Sequence, residues 1–131
     1  MTAHLPAHLG IELIDAAHGA ARARLPLGAR HLAPTGRIHA GTLVTLADTA
    51  CGYGCLASLP AGRDTFATID LVTHLVGAAR PGEDLEAVAD LRHDGRTTQV
   101  WDATVTAGPQ RRVIAHFRCT QLLMTSRLPR D

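Results

Sequence analysis

The stretch Gly36–Leu59, GRIHAGTLVTLADTACGYGCLASL, decides how the rest of the chain is read. Between Ile38 and Gly62 it holds one formal charge, Asp48, among Leu43, Val44, Leu46, Ala47, Ala50, Cys51, Cys55 and Leu56. Apolar residues recur at three- and four-residue spacing and run nearly all round the helical wheel, whereas a surface helix would keep a polar face. The spacing predicts a helix wrapped by the rest of a small domain. An ionised carboxylate in the middle of such a helix is costly to desolvate, so Asp48 is paired, neutralised or functional.

On the N-terminal side, Gly10–Asp15 (GIELID) and His18–Leu27 (HGAARARLPL) alternate in polarity. Ala21, Ala23 and Leu25 share one face, Arg22 and Arg24 the other, and the short turn at Gly19 makes the two segments a hairpin. The first ten residues read as an irregular lead-in or short helix, and Gly28–Gly36 as a loop that delivers the chain to the central helix. Pro60-Ala61 and Gly62-Arg63 end that helix. Further strands are expected at Thr65–Val76, Asp84–His93, Thr97–Thr106 and Arg112–Met124. In Asp84–His93, Leu85, Ala87, Ala89 and Leu91 would face inward, although a helix also fits there. Pro81-Gly82, Asp94-Gly95 and Gly108-Pro109 supply turns, and tight turns imply antiparallel pairing of successive strands. The last seven residues read as a polar tail. A sheet curled round one apolar helix buries this set of elements, so the chain is expected to be a single α+β domain over residues 1–131.

Composition removes several function classes. The net charge is +1, all thirteen basic residues are Arg, and Arg111-Arg112 is the one basic pair. No basic stripe exists for nucleic acid to follow. The start, MTAHLPAHLG, lacks the basic and apolar regions of a signal peptide. The Ile38–Gly62 run is long enough to suggest a membrane span, but Asp48, His39, three Thr and four Gly argue against one. Three cysteines do not make a disulfide framework, and a cytoplasmic protein is expected. Cys51 and Cys55 are spaced i, i+4 and read as buried small residues. His4 and His8 flank Pro6, and GYGC at 52–55 has neither the third Gly nor the preceding strand of a dinucleotide loop. No metal or cofactor is expected.

The stretch RIHAGTLVTLADTACGYG resembles the helix start of the phenylacetate-degradation (PaaI-like) type of acyl-CoA thioesterases, a hotdog-fold family. Their motif is His-Gly-Gly followed by a helix with a catalytic Asp, or Glu, nine residues after the His; His39 and Asp48 have that separation. Downstream, TIDLVTHLVGAARPGEDLEAVADLRHDGRTT resembles the family's long second strand, its glycine turn and its Gly-Arg hairpin. The similarity covers about residues 9–125. It implies an antiparallel sheet wrapped around one long central helix, and hydrolysis of a small or aromatic acyl-CoA. Two positions depart from the pattern. Ala40 replaces the first Gly of the pair, and Ala33 stands where some members carry an Asn six residues before the His.

The resemblance makes Asp48 the general base or nucleophile, and a carboxylate in an apolar crevice suits a base near neutral pH. The backbone amides of Ala40 and Gly41 have no intrahelical partner and lie at the positive end of the helix dipole, where a thioester oxyanion would be stabilised. His39 either orients this loop or touches substrate. Thr68 corresponds to a family Ser or Thr beside the attacking water, and Thr68 or His74 could hold that water in place of the missing Asn. Arg96 and Thr97 correspond to positions near the CoA pantetheine and phosphates. Gly41 and Asp48 stand about 10 Å apart along one helix, too far for one carbonyl to reach both. In the hotdog family two protomers complete each site, so a homodimer is implied, and a homotetramer as a pair of dimers. Two other readings stay open: a hotdog enoyl-CoA hydratase or dehydratase, for which His31 and Gly36 offer a faint echo, and a non-catalytic acyl-CoA-binding protein.

Overall fold

The structure, a computed structural model, describes residues 4–126. The first three residues of the lead-in, and all of the polar tail beyond Ser126, lie outside the described residues. A short helix α1 (Leu5–Leu9) has Pro6 in its first turn and stops at Gly10, whose φ of 80° few other residues adopt. Strands β1 (Glu12–Ala17) and β2 (Ala20–Pro26) form the expected hairpin. The central helix α2 runs Ala40–Leu56. Four strands follow it: β3 (Thr65–Leu75), β4 (Asp84–Asp94), β5 (Thr98–Ala107) and β6 (Arg112–Met124). The segment that sequence left between strand and helix is therefore a strand, and its Leu85, Ala87 and Ala89 are fully buried.

All six strands form one antiparallel sheet in the order β1-β2-β4-β5-β6-β3. One expectation fails here. The turn at Pro81-Gly82 does not pair β3 with β4; β3 instead lies at the far edge against β6. Both edges of β4 are already filled, by β2 and β5, so residues 76–83 must carry the chain across the end of the sheet. Val76 and Gly77 donate to the Ile114 carbonyl at one end of that crossing, and Gly82 donates to the Leu27 carbonyl at the other.

The inner face explains how a chain so poor in aromatics builds a core. Across neighbouring strands the rows Ala23–Ala87–Val105–Ala115 and Ala21–Ala89–Ala103–Phe117 present mostly methyl groups. Such a floor lets α2 lie close upon it through Leu43, Leu46, Ala47, Ala50, Cys51 and Cys55, all buried. Trp101, fully buried, lies against Gly54, and its indole N–H donates to Gln99 Oε1 at 2.8 Å. Gln99 in turn donates to the Ser58 carbonyl just past the helix, also at 2.8 Å. No helix among the described residues is long and apolar enough to cross a membrane.

In one respect α2 departs from its sequence reading. Gly41, Val44, Thr45, Asp48, Thr49 and Gly52 are only half-buried, and Tyr53 and Leu56 are exposed. One sheet covers part of a helix circumference, and a stripe containing Asp48 is left open on the side toward β3.

A methyl group added to Gly54 would sit 2.6 Å from two Trp101 ring atoms. Overpacking of that kind costs about 1–3 kcal/mol. The better helix propensity of alanine returns at most about 1 kcal/mol. Gly54→Ala is expected to lower the urea midpoint, and an unchanged or raised midpoint would show that the indole is not confined there.

Candidate active site

The loop leading into α2 is organised by a histidine. His31 is 2% exposed and uses both ring nitrogens: Nδ1 accepts from the Gly28 N–H at 2.9 Å, and Nε2 donates to the Leu9 carbonyl at 2.7 Å. Its own carbonyl accepts from the His39 N–H and the Thr42 hydroxyl, each at 2.9 Å. His31 thus clamps the loop to α1 on one side and to the first turn of α2 on the other. Neither ring nitrogen is left for acid–base work, which removes the echo of a dehydratase loop at His31 and Gly36.

His39 is the N-cap of α2, and its Nδ1 accepts from the Gly41 N–H at 2.8 Å. The expected pair of free amides is thereby corrected. Gly41 spends its N–H on His39, whereas the Ala40 N–H has no partner among the described residues. Ala40 is exposed and its φ is not positive, so a methyl group there is unstrained and the amide stays reachable. Because Nδ1 accepts, a neutral His39 carries its proton on Nε2. Ala33 closes a tight turn by donating to the Arg37 carbonyl at 2.7 Å and offers no side-chain polar group.

Asp48 sits near the middle of α2 on the open stripe. Its Oδ1 is buried and has no hydrogen-bond partner. Burial raises its carboxyl above the usual aspartate value, and the Thr68 hydroxyl beside it pulls partly the other way. Thr68, on the inner face of β3, nevertheless gives its single proton to Gln121 Oε1 at 2.7 Å. Asp48 and Thr68, two of the expected site residues, are thus brought together. Cys51 and Cys119 pack nearby, and the Cys51 thiol is pushed well up by its hydrogen bond to Cys119 and by burial.

The remaining expected residues lie elsewhere. Arg96 and Thr97 line a cavity of about 380 Å³ with Pro60, Gly62 and Arg63. Arg63 precedes Thr68 by five residues of mostly extended chain, which places this cavity on the order of 17 Å from Asp48. His74 pairs across from His116 on the outer face of the sheet, in a shallow groove with Arg92, Asp102 and Arg118. The sheet separates His74 from Asp48, so within one chain it is not placed to hold a water there. Sequence reasoning missed Gln121 and Arg63. Gln121 did carry a signal: it is the one polar residue in the inward series Ala115, Phe117, Cys119, Gln121, Leu123.

With this geometry in view, comparison with known proteins is decisive. Residues 35–114 match the Thioesterase superfamily. The chain belongs to that family. It is similar to the acyl-coenzyme A thioesterase PaaI of Escherichia coli, with 34% identity over 84% of this chain and 75% of the relative. It is also similar to the 1,4-dihydroxy-2-naphthoyl-CoA hydrolase of Listeria monocytogenes, with 29% identity over 86% and 89% of the two chains. The solved structure of the E. coli PaaI protein superimposes with a TM-score of 0.84 at 27% identity, covering 95% of this chain and 86% of that one. The fold is the hotdog fold of PaaI-like thioesterases, and the protein is an enzyme of the thioester-hydrolase class.

The raised carboxyl of Asp48 has a consequence for this thioesterase's stability. A carboxyl raised on folding takes up protons as the chain folds, so its favourable contribution is present below the unfolded value and lost as pH rises through the folded one. Asp48→Asn stays neutral throughout. It is expected to melt higher than wild type at neutral pH, with the gap closing below about pH 4, near the ordinary carboxylate value. A gap independent of pH would show that Asp48 is not desolvated in the folded protein.

Proposed function

We propose that this protein hydrolyses acyl-CoA thioesters at a site shared between two copies of the chain. The observation that carries the reading is Asp48: a half-buried carboxylate with an unpartnered oxygen, on a helix stripe open toward the edge strand β3. Asp48 either takes a proton from the attacking water or attacks the carbonyl itself. The oxyanion that develops is received by the Ala40 N–H at the positive end of a helix, with the His39 Nε2–H as a second donor. The thiolate of CoA then leaves. These steps call on no metal or prosthetic group.

Ala40 stands eight residues, about 12 Å, from Asp48 on the same helix, so one carbonyl does not reach both within a chain. A second copy supplies the missing half. The two edges of the sheet differ in a way that supports this reading. Both β1 and β3 expose apolar side chains, but β1 is short and carries Glu12 and Asp15 in exposed ion pairs with Arg24 and Arg22. The edge strand β3 is eleven residues long and exposes Ile69, Leu71, Val72 and Leu75. A long apolar edge is a ready template for another strand. Two β3 strands paired about a two-fold axis would join the sheets and set each Asp48 toward the helix start of the other copy.

The cavity lined by Arg63 and Arg96 suits the phosphates of CoA, because both of its charged residues are arginines and a pantetheine arm spans the distance to Asp48. The name of the Listeria relative is consistent with an aromatic acyl group. A CoA ester as substrate is consistent with a reaction in the cytoplasm.

Asp48→Asn is expected to keep the fold and lower turnover by roughly 10²–10⁴, the range for losing a positioned acid or base. Full turnover would remove Asp48 from the chemistry, while tight binding of acyl-CoA by the wild type without thiol release would leave only a binding protein. Sharing of the site has its own test: mix Asp48→Asn chains with Gly41→Val chains, each nearly inactive, and let subunits exchange. One site of every mixed dimer then carries both lesions and the other none, so activity should reappear. No recovery after proven exchange would place both functions in one chain. For the cavity, Arg63→Ala and Arg96→Ala should each raise KM for acyl-CoA by about tenfold, the scale of one charge-assisted hydrogen bond. KM for the matching N-acetylcysteamine thioester, which lacks the nucleotide, should not move.

A further inference from the structure

The inner face of the sheet is mostly apolar, and one row across it is polar. Gln99 on β5, Gln121 on β6 and Thr68 on β3 lie opposite one another in register, and the row ends beside Asp48. Gln99 is fully used, accepting from Trp101 and donating to the Ser58 carbonyl. Gln121 is equally buried, at 0% exposure, yet its Nε2 has no partner. A buried amide N–H pair left unpaired is costly, and such a group in a folded protein calls for an explanation.

The defect is shared with Asp48. Thr68 has one hydroxyl proton and two acceptor lone pairs. With Gln121 Oε1 facing Thr68, that proton goes to Gln121, and two buried groups are left over: Gln121 Nε2 and Asp48 Oδ1. The two ends of a glutamine amide are nearly identical in shape, and a half-turn of the terminal torsion exchanges them without disturbing packing. Nε2 then donates to Thr68 Oγ1, and the Thr68 proton is released toward the carboxylate beside it. One carbonyl oxygen is left over instead of two groups, and a buried carbonyl tolerates this better than an N–H.

We propose that Gln121 is a positioning residue: by donating through Nε2 to Thr68 Oγ1, it directs the Thr68 hydroxyl onto the Asp48 carboxylate. This rests on Asp48 being the base of the hydrolysis. The role is to keep one Asp48 oxygen hydrogen-bonded so that the carboxylate stays ionised and its other oxygen faces water. The other ionisable groups packed around Asp48 are the Cys51 thiol on α2 and the Cys119 thiol on β6. Asp70 on β3 and Asp102 on β5 belong to the outer face.

The test is the acid limb of the kcat/KM profile, which reports the essential base of the free enzyme. In Gln121→Met, which keeps length and loses both amide groups, the limb should move up by about half to one pH unit, a roughly three- to tenfold loss of kcat/KM at acid pH with little change on the plateau. Thr68→Val should shift it the same way, Thr68→Ser should restore it, and the double variant Gln121→Met/Thr68→Val should shift no further than Thr68→Val alone. If Gln121 instead accepts the Thr68 proton, Gln121→Met frees that proton for Asp48 and the limb moves down, which overturns the proposal. A drop in kcat or stability with an unmoved limb, or shifts that simply add, overturns it as well. Carbon-13 NMR titration of the Asp48 carboxyl follows the same shifts without turnover, so the hydrogen-bond chain is judged separately from the hydrolysis it serves. Should Gln121→Met not fold, nitrogen-15 NMR of wild type against the exposed-site variants decides: Thr68→Val should move one Gln121 side-chain amide proton and Thr68→Ser return it. Signals that stay in place rule the donation out.

Discussion

One constraint governs this protein: a seventeen-residue helix, apolar nearly all round, has a single sheet to lie on. Burying α2 requires the sheet to curl, and close approach requires a floor of small side chains, which the alanines of β2, β4 and β5 provide. A curled sheet still reaches only part of the circumference. The stripe through Thr45, Asp48, Gly52 and Leu56 remains half-open or exposed, and it lies beside an edge strand that is itself apolar. The same shortfall that leaves the core incomplete in one chain leaves Asp48 half-buried and partly desolvated.

Polar groups in this setting are arranged so that little is left to water. Both histidines around the helix start act through Nδ1 as acceptors of backbone N–H groups, His31 for Gly28 and His39 for Gly41. A histidine acceptor at an N-cap does the work more usually done by Ser, Thr, Asp or Asn. It also settles which amide is open to a ligand. At Ala40, where the family motif has Gly, a methyl group fits the backbone conformation and the N–H is kept. At the other departure, Ala33, the backbone serves the loop turn and the side chain offers no polar group.

Charge is distributed with equal economy. The ion pairs of Arg22 and Arg24, and the Asp102 carboxylate between Arg92 and Arg118, lie on the outer face of the sheet, where water screens them and their contribution to stability is small. Asp94 reaches the inner row only at its exposed end, where it accepts from Gln99, and Asp48 has no charged partner among the described residues. Asp48 therefore feels burial more than any neighbouring charge, and burial raises its carboxyl above the usual aspartate value.

Much of this was legible in the chain itself. Period-two alternation marked β2, β4 and β5 because each buries one face, and the apolar run with its lone Asp48 marked the central helix and the carboxylate half-buried on it. The family motif located His39, Ala40 and Gly41 at the helix start. What the sequence could not decide were choices made between segments far apart. Whether β3 pairs with β4 or β6 depends on which strand edges β2 and β5 have already filled. Which helix-start amide is free depends on a rotation of the His39 ring. That Gln121 ends beside Thr68 and Asp48, and that His74 does not, depends on a bulge in β3 between Thr68 and Asp70 and on the register against β6. Local spacing encodes which face a residue takes; only the packed sheet decides which residues meet across it.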